Sequence, residues 1–516
     1  DICLKLEQET GNKKLQKRYR EQAFYFAERN KTSVLQEALA GTEAQKFAGI
    51  PDSLLNLEQK LSTDIAYYEK QLASVPGFQD ELKYRNRLFL LNRRYDSLIL
   101  IFEKQYPEYH DLKYSLTPVT TRDIQQVMDN KTAFISYFTG DSIVAIFTVT
   151  KKNLYVKSLP KGKFPASLIR DFRKCLLDPD NSMYAERYRE YAFDLYQKLI
   201  PQNLDKKIKN LIIIPDSELC LIPFEPLLTY KTDSPGWNNL PYLIRKYNIS
   251  YSYSANLFYR TFQKTLIDRV ELSGLKDWLA FAPVFNDVET SGLTLRTREL
   301  LESVDALSAD SAGKRGTLLS GVYISPLPGT ETEVRTILKL FDEHEKKAKV
   351  QLGTNANEFA LKSGDLRDYA CIHLATHGFV NMEKPELSGI LLSQDTSINE
   401  DGILFSGEIY NLKLNAMLTV LSACETGLGE IKKGEGIIGL TRALLYAGSK
   451  NIIVSLWKVA DESTSELMIG FYRNMLEKTE KEMYLSGALR KAKLNMIQES
   501  RYAHPFFWSP FILIGY

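Results

Sequence analysis

The sequence predicts an α/β fold, a mostly parallel sheet flanked by helices, with an α-helical repeat segment ahead of it. Three observations carry this. From Lys13 to about Leu112, apolar residues recur at three- and four-residue spacing, the period of amphipathic helices. In the second half, short apolar runs alternate with helical stretches, the pattern of strands joined by crossover helices. Two of those runs, Tyr369-Ala-Cys-Ile-His-Leu-Ala-Thr376 and Met417-Leu-Thr-Val-Leu-Ser-Ala423, read as strands buried on both faces.

In the first segment Ala23, Phe26 and Ala27, then Val34, Leu35, Ala38 and Leu39, mark one helix face. Leu54, Leu55, Leu57, Leu61, Ile65 and Leu72 mark a second helix, and Leu88, Leu90, Leu91, Leu98, Ile99 and Phe102 a third, with breaks at Gly49-Ile-Pro51 and Pro76-Gly77. Stacked helical hairpins at the end of a repeat array fit this pattern, as does a plain helical bundle. Between Thr117 and Leu159 the period changes to two. Thr132 to Phe138, Ser142 to Val149 and Leu154 to Ser158 read as a meander turning at Gly140-Asp141. A helix from Tyr184 to Leu199 then precedes the strand Leu211-Ile-Ile-Ile214. This stretch offers no paired nucleophile and base and reads as a structural companion. The expected division is 1–115 helical, 116–270 a non-catalytic half and 271–516 a catalytic half.

In the catalytic half Trp278 to Phe285 is the first strand, and Ser303 to Val322, around Lys314-Arg315, reads as an exposed loop. Thr330-Glu-Thr-Glu333 fits a capping box opening a helix whose Val334, Ile337, Leu338 and Phe341 face the core. Lys349 to Leu352 follows as a strand and Glu358 to Lys362 as the start of a helix.

Composition narrows the function classes. With 516 residues and 44 % hydrophobic content the chain can bury a large core, and about 150 residues per domain suggests three units. Sixty-six basic against 64 acidic residues leave +2, so no bulk field attracts nucleic acid or an anionic membrane. Direct nucleic-acid binding is not expected. Five scattered cysteines (Cys3, Cys175, Cys220, Cys371, Cys424) without CxxC spacing argue against a disulfide framework or zinc site and for a reducing, cytoplasmic setting. No metal or cofactor is expected. No run of 18 apolar residues suggests a membrane span, and no signal peptide is visible. The chain begins at Asp1 without methionine, so an upstream segment may precede it.

The chemistry gathers at strand ends. The first buried run delivers His377-Gly378 and the second Cys424-Glu425-Thr426-Gly427. In open α/β sheets ligands bind at the carboxyl edge, so the two side chains can meet across one crevice. Their separation of 47 residues is close to the roughly 50 between histidine and cysteine in caspase-like proteases. A free thiol, with pKa about 8.5, is only slightly ionised at neutral pH, and a nearby imidazole would activate Cys424. The N–H groups of Gly378 and Cys424 would form an oxyanion hole. Without its pairing Cys424 would read as an inert buried thiol. His373 and Cys371 lie within the strand and read as core; His110, His344 and His504 have no visible partner.

Gly434-Glu-Gly436-Ile-Ile-Gly439, with Asp461 22 residues beyond, mimics a dinucleotide fingerprint. Its first glycine comes ten residues after Cys424 rather than directly after a strand, so the glycines read instead as loop architecture opening a helix from Ile437 to Tyr446. A further strand, Asn451 to Trp457, leads to Asp461, which reads either as a helix N-cap or as a carboxylate facing the crevice, where it would favour a basic substrate side chain.

The chain resembles the CHAT family, caspase-like peptidases found with tetratricopeptide repeats and related to separase. The resemblance runs through Leu327-Pro-Gly-Thr-Glu-Thr-Glu333, His373-Leu-Ala-Thr-His-Gly378, Leu421-Ser-Ala-Cys-Glu-Thr-Gly-Leu-Gly429, Gly434-Glu-Gly436 to Ala447-Gly448, Ser455-Leu-Trp-Lys-Val459 and His504-Pro-Phe-Phe-Trp508. It extends more loosely to Ile213-Ile-Pro-Asp216 and Leu221-Ile-Pro-Phe224. It implies a caspase-hemoglobinase fold, a His377–Cys424 dyad, the Gly378 amide in the oxyanion hole and Asp461 as receiver of an arginine. It also implies a regulatory protein partner on the helical repeats and fits a bacterial source. The leading expectation is a cysteine endopeptidase cutting a protein substrate after lysine or arginine. Its competitors are a non-enzymatic caspase-like scaffold and a nucleotide-binding switch. Self-cleavage near Lys314-Arg315 is a secondary expectation.

Overall fold

The structure is a computed structural model. It describes residues 2–40, 50–73, 78–106, 118–164, 166–259, 276–285, 289–290, 317–319, 322–324, 327–379, 388–393, 400, 402–410, 412–422, 430–432, 436–438, 440–477 and 485–516.

Helices α1 (Ile2–Glu9) and α2 (Lys13–Ala40) are followed by α3 (Asp52–Ala73) and α4 (Phe78–Gln105). A short α5 (Thr121–Val127) leads into β1 (Thr132–Thr139), β2 (Ile143–Thr150) and β3 (Leu154–Pro160), then α6 (Ala166–Leu177), α7 (Ser182–Leu199), β4 (Asn210–Ile214) and β5 (Asn248–Tyr251). Next come β6 (Lys276–Ala282), a small sheet of β7 (Glu289–Thr290), β8 (Thr317–Leu319) and β9 (Val322–Ile324), then α8 (Pro328–Glu343), β10 (Ala348–Leu352), α9 (Glu358–Ser363) and β11 (Tyr369–Leu374). A second small sheet holds β12 (Gly378–Phe379), β13 (Gly389–Leu391) and β14 (Ile403–Phe405), followed by α10 (Ser406–Ile409) and β15 (Leu418–Leu421). The hairpin β16 (Glu430–Lys432) and β17 (Gly436–Ile438) precedes α11 (Leu440–Ala447), β18 (Ile452–Ser455), α12 (Asp461–Leu476), α13 (Leu485–Gln498), α14 (Pro505–Trp508) and β19 (Phe511–Ile514).

Two compact units emerge, residues 32–117 and residues 1–31 with 118–516. In the smaller, α3 and α4 pack through Ile50, Leu61, Leu91, Leu98 and Phe102. Leu57 and Leu90, expected on the packed faces, are exposed.

In the larger unit eleven strands run in the order β10-β6-β11-β15-β18-β19-β5-β4-β1-β2-β3. From β10 to β18 every pair is parallel. β19 is antiparallel to β18 and parallel to β5, and β5, β4 and β1 are again parallel. The polarity reversal between β18 and β19 separates two parallel half-sheets whose carboxyl edges face opposite ways, and β2 and β3 extend the second as an antiparallel meander. The last strand of the chain lies at this seam, so the halves interlock: Lys493 Nζ reaches Glu225 Oε1 at 2.9 Å and Arg490 Nε donates to the Ile244 carbonyl at 2.6 Å.

The apolar run of β4 is buried at every position, as expected of a strand covered on both faces. One cover comes from the first helices, whose Leu4, Phe24 and Ala27 pack with Phe134, Phe147, Ile212 and Ile214.

Two local expectations are corrected. The helix expected to open with a Thr330 capping box begins at Pro328, whose fixed φ and missing N–H suit the first helical position. Glu333 is fully buried and points to a strand instead of folding back on Thr330. The helix expected from Ile437 begins at Leu440, because Gly436–Ile438 pairs antiparallel with Glu430–Lys432.

Candidate active site

His377 sits just beyond the carboxyl end of β11. Ala375 donates its N–H to the Phe281 carbonyl at 2.9 Å, continuing the sheet to the point where the chain turns away. The turn is held from the other side by β13: Leu391 N donates to His377 O at 2.9 Å, and the Thr376 hydroxyl donates to Leu391 O. That first bond makes Gly378 and Ile390 a non-hydrogen-bonded pair of the antiparallel ladder. The Gly378 N–H is therefore not spent on β13 and points away from it.

The register of the next strand bears on Cys424. Leu374 pairs with Leu421, and Ser422 N donates to Leu374 O at 2.9 Å. In sequence Cys424 is three residues past Leu421 and His377 three past Leu374. Cys424 itself lies outside the described residues, as do Gly434, Gly439 and the Lys314-Arg315 loop.

The His377 ring is buried against Phe285, with centroids 5.4 Å apart. His373, four residues earlier, is enclosed in the core as expected. Its Nε2 lies 2.7 Å from Glu333 Oε1, its Nδ1 lies 3.2 Å from the Tyr472 hydroxyl, and Trp278 packs beside it. Glu333 was not anticipated as its partner. The signal was present, since Glu333, Ile337 and Phe341 repeat every four residues and share one helix face. Cys371 is buried on the same strand, and burial pushes its thiol up to about 12.

Asp461 is the first residue of α12, whose N-cap position is Ala460. Its carboxylate caps a different helix: Oδ2 accepts the Gly329 N–H at the start of α8, at 2.6 Å. Helix N-termini carry unsatisfied N–H groups and partial positive charge, which makes this a favourable place for a carboxylate. Burial raises the Asp461 pKa, the Gly329 bond opposes that shift, and the charge of Glu333 adds to it. A methyl group on Gly329 would collide with this carboxylate.

A family model for the CHAT domain matches residues 189–516. The chain belongs to the CHAT-domain family. Among individual proteins, tetratricopeptide repeat protein 28 of mouse is 30 % identical over 114 residues, and its human counterpart 32 % over the same length. Those matches take in 22 % of this chain and 4 % of either relative, so the chain spans a small fraction of them. Among solved structures, the Saccharomyces cerevisiae separase–securin complex aligns with 90 % of this chain and 40 % of that one, at 10 % identity and TM-score 0.43. The Arg-specific cysteine proteinase gingipain R aligns with 69 % and 74 % at 10 % identity and TM-score 0.36.

Within this CHAT domain the small β12–β13–β14 sheet that steadies the histidine turn is itself anchored. Lys362 Nζ on α9 lies 2.6, 2.9 and 2.7 Å from carboxylate oxygens of Glu358, Glu400 and Glu408. These three carboxylates are close enough together to hold a metal ion, and the ammonium occupies the middle of the cluster. Glu358 also accepts the Gly402 N–H and Glu408 the Phe405 N–H, tying β14 to α9. His504 is not the partnerless side chain the sequence suggested. It is buried against Trp237, accepts the Phe506 N–H through Nδ1 at 3.0 Å, and burial lowers its pKa to about 4. Among the described residues no helix is long and apolar enough to cross a membrane.

Proposed function

We propose that this CHAT domain is a cysteine endopeptidase with Cys424 as nucleophile and His377 as general base, then acid. The observation that supports the reading is the register: Leu374 pairs with Leu421, and His377 and Cys424 each follow three residues later in sequence. The imidazole draws the thiol proton as sulfur attacks the scissile carbonyl, and returns it to the leaving amine. Water then resolves the acyl-enzyme by the same route. The Gly378 N–H, turned away from β13, and the Cys424 N–H receive the oxyanion, each worth about 3 kcal/mol in the transition state. Asp461 receives a lysine or arginine side chain ahead of the cut, in exchange for or alongside the Gly329 N–H. A protein partner on the helical segment regulates access.

The test is a peptide-library cleavage assay of wild type and Cys424→Ala. We expect cleavage after Lys or Arg, lost in the mutant. Equal cleavage by both proteins removes Cys424 from the mechanism, and a preference for acidic residues removes Asp461 from the pocket. A second reading, a non-enzymatic caspase-like module, is favoured by one observation: His377 is only 7 % exposed. A thiol-directed activity probe that never labels Cys424, with or without partners, would leave that reading standing.

A further inference from the structure

We infer that Glu333 is a positioning residue for Asp461 that strengthens the preference for a lysine or arginine side chain, an inference that rests on the pocket reading above. Glu333 is fully buried on α8, four residues after Gly329, so it lies one helical turn, about 6 Å along the axis, behind the amide that holds Asp461. Asp461 and Tyr472, eleven residues apart on α12, share a face three turns along. The two helices are therefore joined twice on the same side. Gly329 N donates to Asp461 Oδ2 at 2.6 Å, and between Glu333 and Tyr472 stands the His373 ring, its Nε2 2.7 Å from Glu333 Oε1 and its Nδ1 3.2 Å from the Tyr472 hydroxyl.

The charge on this face is one-sided. Glu333 Oε1 is within ion-pair reach of His373 Nε2, yet among the described residues no hydrogen bond is aligned on either Glu333 oxygen. Glu462, the residue after Asp461, is exposed and turned to Arg501 at 2.8 Å. Among the described residues no lysine or arginine pairs with Asp461 or Glu333. A buried carboxylate beside a more accessible one favours whatever positive species reaches the accessible group. A proton is one such species, and accordingly the Glu333 charge adds to burial in raising the Asp461 pKa. A guanidinium or ammonium is the other, and it gains from the same field. Asp461 is only partly buried, so it is the member a substrate side chain can touch, while Glu333 acts through it from the core.

Two readouts on the full chain separate this from a purely structural role. Carbon-13 carboxyl NMR, in a Cys424→Ala background, follows Asp461, assigned by its loss in Asp461→Asn. Glu333→Gln, of the same shape and uncharged, is expected to lower the Asp461 titration midpoint. Tyr472→Phe, which disturbs the same cluster without changing its charge, should leave the midpoint in place. In the active protein Glu333→Gln should lower the ratio of kcat/KM for basic over neutral peptides on the order of 10-fold at neutral pH, less than loss of Asp461 itself, and Tyr472→Phe should not. Should Glu333→Gln fail to fold, Glu333→Met combined with His373→Leu removes both polar members at once. An Asp461 midpoint unmoved in the folded variant overturns the inference, as does an equal shift or an equal loss of selectivity in Tyr472→Phe. A lowered midpoint with the basic preference intact overturns it too. A lowered midpoint in a protein that never prefers basic peptides leaves Glu333 acting on Asp461 and removes the pocket reading instead.

Discussion

The two half-sheets are assembled from the same strand geometry and treat polar groups at and near their carboxyl edges in opposite ways. In the first half, polar groups are consumed by the fold. Asp216 Oδ2, two residues past β4, accepts the N–H of Thr139, the last residue of β1, at 2.6 Å. On β1, Ser136 donates to Glu28 at 2.9 Å and accepts from Lys31 at 2.6 Å, and the other Glu28 oxygen takes the Ala255 N–H at 2.7 Å. All three side chains are buried. In the second half, the turn that carries His377 is secured by its backbone and by the Thr376 hydroxyl, its ring packs against Phe285, and the adjacent glycine keeps its N–H out of the ladder. The lesson is that a sheet edge becomes a candidate site when the backbone is secured independently of the side chains that would react.

The largest effect expected from that contrast is at His377. Replacing it by alanine should lower kcat/KM for a basic peptide by about 10²–10⁴-fold, the usual contribution of a general acid–base, with the thermal midpoint little changed. A comparable loss of stability would mean that this histidine, like His373, belongs to the packing.

Next is Lys31 in the opposite half. Lys31→Met removes the ammonium that pairs with the buried Glu28 carboxylate and should cost about 3–5 kcal/mol by urea unfolding. Adding Glu28→Gln should recover most of it, because the amide oxygen still serves the Ala255 N–H and no charge remains buried. Peptide cleavage per folded molecule should be unchanged in both. A double mutant as unstable as the single would show that the pair is not what couples α2 to the sheet.

At Asp461, Asn in place of Asp should reduce the preference for Lys or Arg over a neutral residue by about 10²-fold, the scale of losing one member of a desolvated charge pair. Because burial raises the Asp461 pKa above 3.8, preference in the wild type should begin to fall at higher pH than for an ordinary aspartate as the solution is acidified. The ratio of kcat/KM for basic and neutral peptides against pH measures this.

The smallest effect is on a slope. His504 has its pKa lowered by burial from 6.5 to about 4, so in that window the unfolded chain binds more protons than the folded one. Stability from this group is complete above pH 6.5 and is lost as pH falls toward 4. His504→Asn, which can still cap α14, should flatten the urea midpoint across that interval.

Much of this was legible in the residues, and the omissions have a common cause. The strands carrying His377 and leading to Cys424 announced themselves as short apolar runs, because a strand covered on both faces tolerates little else. The core position of His373 followed from its place two residues before Ala375 on an alternating strand. Its partner did not, since Glu333 sits in a local pattern that also fits a capping box and the decisive contact comes from a strand 40 residues away. In the sequence Asp461 fits either a cap on its own helix or a carboxylate facing the crevice. The structure has it bonded to a third place, the N–H of Gly329, 132 residues distant in sequence.

By itself the sequence determined the periodicities, hence the helical segment, the α/β order and the strand ends at which His377 and Asp461 are displayed. These are local consequences of which residues can be buried at a given spacing. Tertiary structure alone decided the polarity reversal at β18 and β19, the register that pairs Leu374 with Leu421, and the contact of Phe285 with His377. Each depends on contacts between residues far apart in the chain, where pairing geometry rather than local pattern selects the partner.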